Sequence, residues 1–324
     1  MAPDEHRRIL GALKGVATGD AIGKQTETLS REAVVRWYPD GVRGFEGVPG
    51  IVVPRYAGHA RREWRIGETT DDTERTIAVA RAILQDGEVR HASVGRELLK
   101  CKKSVHPSVK SLWEFHKAGD PTHVSHCHDG CGAAIRVAPV GVLYRSARLD
   151  EIVAASREAS ISTHGGALGL AAAAATAAAV SAAIDGASAP EIIGLAEQAA
   201  ARAECRRSGS AEATFAVALR AMHADLSRWT VLTAGEVAAQ YFPRDPLTVV
   251  PLALTLGTIL DSAEVATLLA ANIGGDSDSV ASIAGAILGA RHPDTVNQEW
   301  HAVVEAVNHH DLTSLADALA GLRS

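Results

Sequence analysis

Aromatic residues are scarce in this 324-residue chain, at 4%, and it has only two methionines. A core so short of rings must be filled mainly by Ala, Leu, Val and Ile, which dominate a hydrophobic share of 47%. Four cysteines over this length exclude a disulfide scaffold. Blocks of like charge are missing too. The 32 basic and 38 acidic residues are interspersed and leave a net charge of −6, with none of the basic blocks that neutralise a phosphate backbone. Nucleic acid is therefore not an expected partner. The opening MAPDEHRRILGALKG has no apolar signal core, so a soluble, cytoplasmic protein is expected. Sustained period-two alternation is absent, apart from a weak GIVVPRY at 50–56. No Pro-, Ser- or Gly-rich linker divides the chain and no repeat of fixed period runs through it. One domain spanning 1–324 is expected, acting as a monomer.

What is present is helical periodicity. HRRILGALKGVATGDAIG sets Ile9, Leu10, Leu13, Val16 and Ala17 on one face. After an irregular, glycine-rich stretch at 38–68, Ile77, Ala80, Ile83 and Leu84 mark another helix. Further helices are expected at about 91–103, 107–118, 132–146, 149–157, 165–185, 188–203, 211–226, 233–240, 246–260, 262–271, 279–290, 296–307 and 311–322. The run GLAAAAATAAAVSAAI approaches membrane-spanning length. Its alanines, serine and threonine are only weakly apolar, and Ala favours tight helix packing, so it reads as a core helix. The expectation is an all-α, orthogonal multi-helix bundle.

Two acidic knots carry the chemistry. ETTDDTER at 68–75 crowds four carboxylates into seven residues, and NIGGDSDSVASIAGAILGA at 272–290 sets Asp276, Ser277, Asp278 and Ser279 ahead of an apolar helix face. Helix capping needs one such side chain, perhaps two; each knot supplies four consecutive oxygen-bearing ones. Two matching knots point to hard cations, and oxygen-only ligands select Mg²⁺, Mn²⁺ or Ca²⁺. Two ions sharing carboxylates suit hydrolysis or group transfer.

In order along the chain, five segments resemble the ADP-ribosylglycohydrolase family of dinitrogenase-reductase-activating glycohydrolases and ADP-ribosyl-acceptor hydrolases. They are GVATGDAIG (15–23), GETTDDT (67–73), GCGAAIRVAPVGVL (130–143), STHGGALGLAAA (162–173) and IGGDSDSVASIAGAILGA (273–290). The resemblance implies an all-helical fold with two Mg²⁺, or Mn²⁺, at the floor of a cleft. It implies hydrolysis of the bond between ribose C1 of ADP-ribose and a nitrogen or oxygen acceptor on a protein or small molecule. It makes Thr70, Asp71, Asp72, Asp276, Asp278 and Ser279 the metal ligands. Glu27, seven residues after Asp20, becomes the metal-linked carboxylate; Glu27 or Asp71 would orient the attacking water. Gly130, Cys131 and Gly132 would cradle the substrate through backbone N–H groups. Arg136 is either a structural ion pair or a ligand contact, and His164 either a core histidine or a cleft residue.

The chain departs from the family pattern at three places. Cys131 stands where an Asn is usual, removing an amide that donates and accepts. The Thr-His-x-His-Pro motif has lost its second His and its Pro, leaving Thr163-His164-Gly165-Gly166. Serines replace threonines at 277 and 279, which keeps an oxygen ligand. A smaller-metabolite riboside is therefore an alternative substrate class, and a non-catalytic binding protein a further one. THVSHCHDGCG places His123, His126, Cys127, His128 and Cys131 together, but their spacing matches no standard zinc pattern. Trp64 and Trp113 are expected to pack rather than stack on a ligand.

Overall fold

The computed structural model describes residues 3–58, 63–103, 112, 124–208 and 214–324. Among them the regular structure is entirely helical; the only strand-like feature is an isolated antiparallel bridge between Val52 and Arg65. The weak GIVVPRY signal thus yields one bridge and a 3₁₀ turn at Pro54–Tyr56, because Pro54 cannot extend a ladder. The helix expected at 107–118 lies outside the described residues apart from Leu112.

Helix α1 (Pro3–Gly23) is the axis of the fold, and its glycines dictate its partner. Gly11, Gly15, Gly19 and Gly23 recur every four residues and so share one face. Against that face lies Ser277–Arg291, running antiparallel. A methyl group on Gly15 would sit 2.0 Å from the Gly285 carbonyl oxygen, one on Gly11 2.0 Å from that of Gly289, and one on Gly19 2.3 Å from that of Ala281. At Gly23 the contact is the Asp278 backbone, at 2.5 Å. Only absent side chains let two backbones approach so closely. The consequence is functional: the C-terminal end of α1 meets the N-terminal end of Ser277–Arg291, which brings Asp20 beside Asp278.

Between these two come α2 (Arg31–Trp37), α3 (Asp71–Asp86), α4 (His91–Leu98), α5 (Ala138–Leu143), α6 (Leu149–Ser160), α7 (Ala167–Ile184), α8 (Ala189–Ser208), α9 (Thr214–Leu226), α10 (Ala234–Tyr241), α11 (Pro246–Ile259) and α12 (Ala263–Ile273). Ser277–Arg291 is α13, followed by α14 (Gln298–Asn308) and α15 (Leu312–Ala320). Helix α7 is the alanine-rich run. It is long and apolar enough to cross a membrane, yet 89% of it is buried by the rest of the fold. Its alanines let α5 and α8 close on it: a methyl on Gly141 would lie 2.5 Å from the Ala177 carbonyl oxygen. A contiguous core draws on residues from Ile9 to Ala320.

Two differences from the expected helices bear on the site. The segment 132–146 is not one helix: a 3₁₀ turn, Cys131–Arg136, gives way at Val137 to α5, whose first turn holds Pro139. Helix α2 has no counterpart in the sequence reading. It is a short helix capped by Ser30, and it buries only Val34.

Candidate active site

Helix α3 begins inside the first acidic knot. Thr70 is its N-cap, and its hydroxyl accepts from the Asp72 N–H at 3.0 Å. Asp20, fully buried on α1, takes hold of the same turn from below. Its carboxylate accepts the Thr70 N–H at 2.9 and 3.0 Å, the Thr73 N–H at 3.0 Å and the Thr73 hydroxyl. Asp20 therefore fixes the direction of Asp71 and Asp72. The sequence reading used it only to count forward to Glu27; an acid within the apolar run VATGDAIG was the available signal.

The four carboxylates of residues 68–74 then part company. Glu74 accepts the N–H groups of Lys102 and Lys103 at 2.9–3.0 Å, and Glu68 lies 3.7 Å from the Lys103 ammonium. Only Asp71 and Asp72 turn toward the second knot. Asp71 pairs with Arg75 one turn along at 3.2 Å. Asp72 is buried, and its Oδ2 finds no hydrogen-bond partner among the described residues.

The second knot is held against the first by the turn that follows α1. Ser277 donates to the Gly23 carbonyl at 2.9 Å, while the Thr28 N–H donates to Gly275 O at 2.7 Å and Gly275 N–H to Leu29 O at 2.8 Å. Gly274 and Gly275 both have positive φ, and a side chain on either would strike Leu29 or Pro243. Ser277 is thus structural, whereas Asp276, Asp278 and Ser279 bond among themselves, the Ser279 N–H donating to Asp278 Oδ1 at 3.1 Å. The same turn carries Glu27, whose carboxylate receives the Lys24 ammonium. Lys24 also sits 4.6 Å from the centre of the Trp64 ring. Trp64 donates its indole N–H to Glu68 O at 2.8 Å and so does pack, with a lysine on its ring.

The electrostatics follow from burial. Burial, with the charge of Asp278 added and hydrogen bonds to Thr73 and Thr70 opposing it, pushes the Asp20 carboxyl up to about 6. Asp278 is pushed up to about 7 by burial and by Asp276 and Asp71, against the pull of Lys24. Asp72 rises well above the carboxylate range through burial and the charges of Asp278, Asp20, Asp71 and Asp276; Asp276 rises through burial. A carboxyl whose folded pKa is raised stabilises the fold below its unfolded value near 3.8, and that contribution disappears as pH climbs through 6 to 7. Metal-free protein is therefore expected to melt higher at pH 5 than at pH 8, with saturating Mg²⁺ narrowing the gap. Calorimetric melting at both pH values checks this; a higher Tm at pH 8 in EDTA would contradict it.

These aspartates fit a divalent centre by their chemistry: mutually repelling, desolvated carboxylates with one orphaned buried oxygen. Among the described residues, no group of three or more His, Cys, Asp or Glu side chains is placed so as to hold a metal ion. That holds equally for His126, Cys127, His128 and Cys131; His123 lies outside the described residues.

The residues of the expected substrate loop pack around His164. His164 is buried, with Nδ1 2.7 Å from the Thr163 hydroxyl. Its ring lies beneath the loop: a methyl on Gly132 would be 2.8 Å from His164 Cε1 and 3.2 Å from Arg75 Nη1. The glycine at 132 therefore makes room for His164. Arg136 spends its guanidinium on the backbone around it. It is fully buried and donates to the carbonyls of Gly132, Ala159 and Ser160 and to the Thr163 hydroxyl, at 2.7–3.1 Å. Burial lowers it to about 9, still charged at neutral pH. Arg136 ties the loop to the end of α6.

Gly165 and Gly166, where the family motif is broken, are filled by the segment before the loop. A side chain at 165 would lie 1.7 Å from Ser125 O, and one at 166 would lie 2.1 Å from Asp129 Oδ1. Asp129 caps α7 through the N–H groups of Leu168 and Gly169 at 2.9 and 3.2 Å. Gly166→Ala should expel this carboxylate, costing about 1 kcal/mol for the cap and up to ~3 kcal/mol with overpacking. Urea unfolding measures it; an unchanged midpoint would mean that the clamp is not under tension.

The profile of the ADP-ribosylglycohydrolase family matches residues 1–324. The chain belongs to the ADP-ribosylglycohydrolase family. YegU of Escherichia coli strain K12 is 31% identical over 98% of this chain and 97% of its own length. A protein of Archaeoglobus fulgidus is 30% identical over 86% of the chain and 85% of its own length. ADP-ribosyl-(dinitrogen reductase) glycohydrolase of Rhodospirillum rubrum is 24% identical over 99% of the chain and 98% of its length. A solved ADP-ribosylglycohydrolase-related protein complex covers both chains fully with a TM-score of 0.76 at 23% identity, a likeness of fold. At the level of the family, this chain is a hydrolase of ADP-ribosyl linkages.

Proposed function

We propose that this chain is a divalent-cation-dependent hydrolase that cleaves the C1 glycosidic bond of an N- or O-linked ADP-ribosyl group and releases ADP-ribose. The observation that carries the reading is that Asp20, Asp72 and Asp278, buried on three different segments, lie close enough for their charges to act on one another, with the Asp72 Oδ2 oxygen left orphaned. Thr70, Asp71, Asp72, Asp276, Asp278 and Ser279 would hold two Mg²⁺, with Mn²⁺ the substitute. Divalent cations there supply the charge that grips ribose hydroxyls and acidifies water.

The remaining work falls to the chain. Glycoside cleavage passes through an oxocarbenium-like state and needs a carboxylate to take a proton from water. Glu27 and Asp71 are suited to it in the same way: each is partly exposed and each has a cation beside it, Lys24 and Arg75 respectively. The Gly130–Gly132 turn, backed by His164 and tied down by Arg136, presents its first N–H groups to the diphosphate. Asp20 holds Thr70 and Thr73 in place and stays out of the reaction.

A riboside of a small metabolite is the second reading, favoured by Cys131 and by the Asp129 clamp that occupies the space over Gly166. The protein is taken to act as a cytoplasmic monomer. Purified protein would be offered ADP-ribosyl-arginine and ADP-ribosyl-serine peptides with Mg²⁺ or EDTA and followed by mass spectrometry. Mg²⁺-dependent release of ADP-ribose supports the proposal. Release equal in EDTA refutes the cation dependence, and no release from either peptide moves the substrate to the second reading.

A further inference from the structure

The turn that carries Glu27 is held by more than a helix end requires. It leaves α1 at Gly23, where a methyl would strike the Asp278 backbone at 2.5 Å, and passes Thr28, whose φ of 66° lies in the left-handed region that a β-branched residue avoids. One guanidinium pins it. Arg55 Nε donates to Gln25 O at 2.6 Å, and Nη2 donates to Lys24 O at 3.1 Å and Glu27 O at 2.7 Å. The Tyr56 hydroxyl also donates to Lys24 O, at 3.1 Å. Capping of orphan carbonyls accounts for these bonds. It does not account for the Lys24 side chain. A lysine ordinarily leaves its ammonium in water, yet this side chain is 13% exposed and pairs with Glu27. Its ammonium lies over the Trp64 ring, 4.6 Å from the centre, and 6.0 Å from the centre of the Tyr56 ring. Trp64 is in turn fixed to the first acidic knot. Its indole N–H donates to Glu68 O at 2.8 Å, and Lys103, which donates to Thr69 O at 2.6 Å, brings a second ammonium to 5.5 Å from the same ring. One series of contacts thus runs from Glu27 through Lys24 and Trp64 to the segment that leads into α3.

Resting on the function proposed above, we infer that Lys24, steadied by Trp64, is a positioning residue that fixes the direction of the Glu27 carboxylate for the attacking water. The proton of that water passes to Glu27; Lys24 keeps its own and acts through charge and direction alone. Holding so long a side chain in one geometry costs rotamer entropy, and the aromatic ring offsets part of that cost. A free surface lysine would point the carboxylate nowhere in particular.

The first arm of the test needs no substrate. A carbodiimide converts an ion pair in contact into an amide with loss of water. In the full-length wild type it should join Lys24 to Glu27, read by peptide mass spectrometry as a missed tryptic cleavage, and Trp64→Leu should lower the yield several-fold. The second arm is hydrolysis of whichever ADP-ribosyl peptide the wild type cleaves. Lys24→Met should cut kcat about 10- to 100-fold with KM unchanged, and Lys24→Arg should restore most of it. In a Glu27→Gln background, Lys24→Met should cost nothing further, because it acts only through that carboxylate. Lys100→Met, which breaks a pair of the same spacing with Glu97, should leave kcat unchanged. Absence of the amide, a yield unchanged in Trp64→Leu, a loss that adds in full to that of Glu27→Gln, or a Glu27→Gln enzyme as fast as wild type would overturn the inference. A wild type that cleaves neither peptide would overturn the proposed substrate, while the amide and its loss in Trp64→Leu would still support the clamp on Glu27.

Discussion

Asp278→Asn should lower Mg²⁺-dependent release of ADP-ribose about a thousandfold, which is about 4 kcal/mol of transition-state stabilisation, without unfolding the protein. The two halves of this expectation have one cause. Asp278 lies buried, and burial together with the charges of Asp276 and Asp71, against the pull of Lys24, holds its carboxyl up to about 7. Burying that charge costs stability, a cost that a cation bound as proposed would offset. Asn keeps the shape and removes the charge, so in EDTA at pH 8 the variant should melt no lower than wild type. Glu74→Gln is the contrasting control. Glu74 shares the first acidic knot but spends its oxygens on the N–H groups of Lys102 and Lys103, so its loss should leave cation affinity intact. An Asp278→Asn protein that still hydrolysed at the wild-type rate would remove this aspartate from the site.

The second large effect lies away from the carboxylates. Gly15→Val should destabilise the fold by about 3 kcal/mol or more, measured by urea unfolding. The first methyl already falls 2.0 Å from the Gly285 carbonyl oxygen, and the obstacle is backbone, which cannot rotate aside. Relief requires α1 and α13 to separate, and that separation would also draw Asp20 away from Asp278. Cation affinity should therefore drop in Gly15→Val even under conditions where most of the protein is folded. Gly194→Ala, on the exposed side of α8 with nothing near its Cβ, should instead be neutral or slightly stabilising. If Gly15→Val unfolded at the wild-type urea concentration, the close helix pairing would be wrong.

How much of this was legible in the residues differs from element to element. Strong periodicity located most helices, and a side-chain cap marks the start of α3 at Thr70. Helix α2 escaped because it buries a single valine and so writes no periodic pattern. The segment after Gly130 looked like one helix, since apolar spacing alone does not distinguish a 3₁₀ turn that hands over to α-helix before a proline. At the site, residue types in motifs pointed to the aspartates, but their partners were long-range. Nothing local says that Asp20 holds Thr70 and Thr73, or that Arg136 ends on carbonyls of α6. Lys24 was invisible for a similar reason: its role comes from a turn that folds it back over Trp64 and onto Glu27. The broken motif at Gly165–Gly166 read as a loss, whereas in three dimensions Ser125 O and the Asp129 carboxylate occupy that space.

The central claim is that the aspartates of the two knots jointly hold divalent cations, and the most direct measurement is calorimetric. Mg²⁺ would be titrated into metal-free wild-type protein and into Asp72→Asn, which neutralises the carboxylate bearing the orphaned oxygen. The account predicts saturable binding by the wild type and its loss, by about tenfold or more in affinity, in the variant. Equal binding by the two proteins, or none by the wild type with Mn²⁺ failing as well, would contradict it.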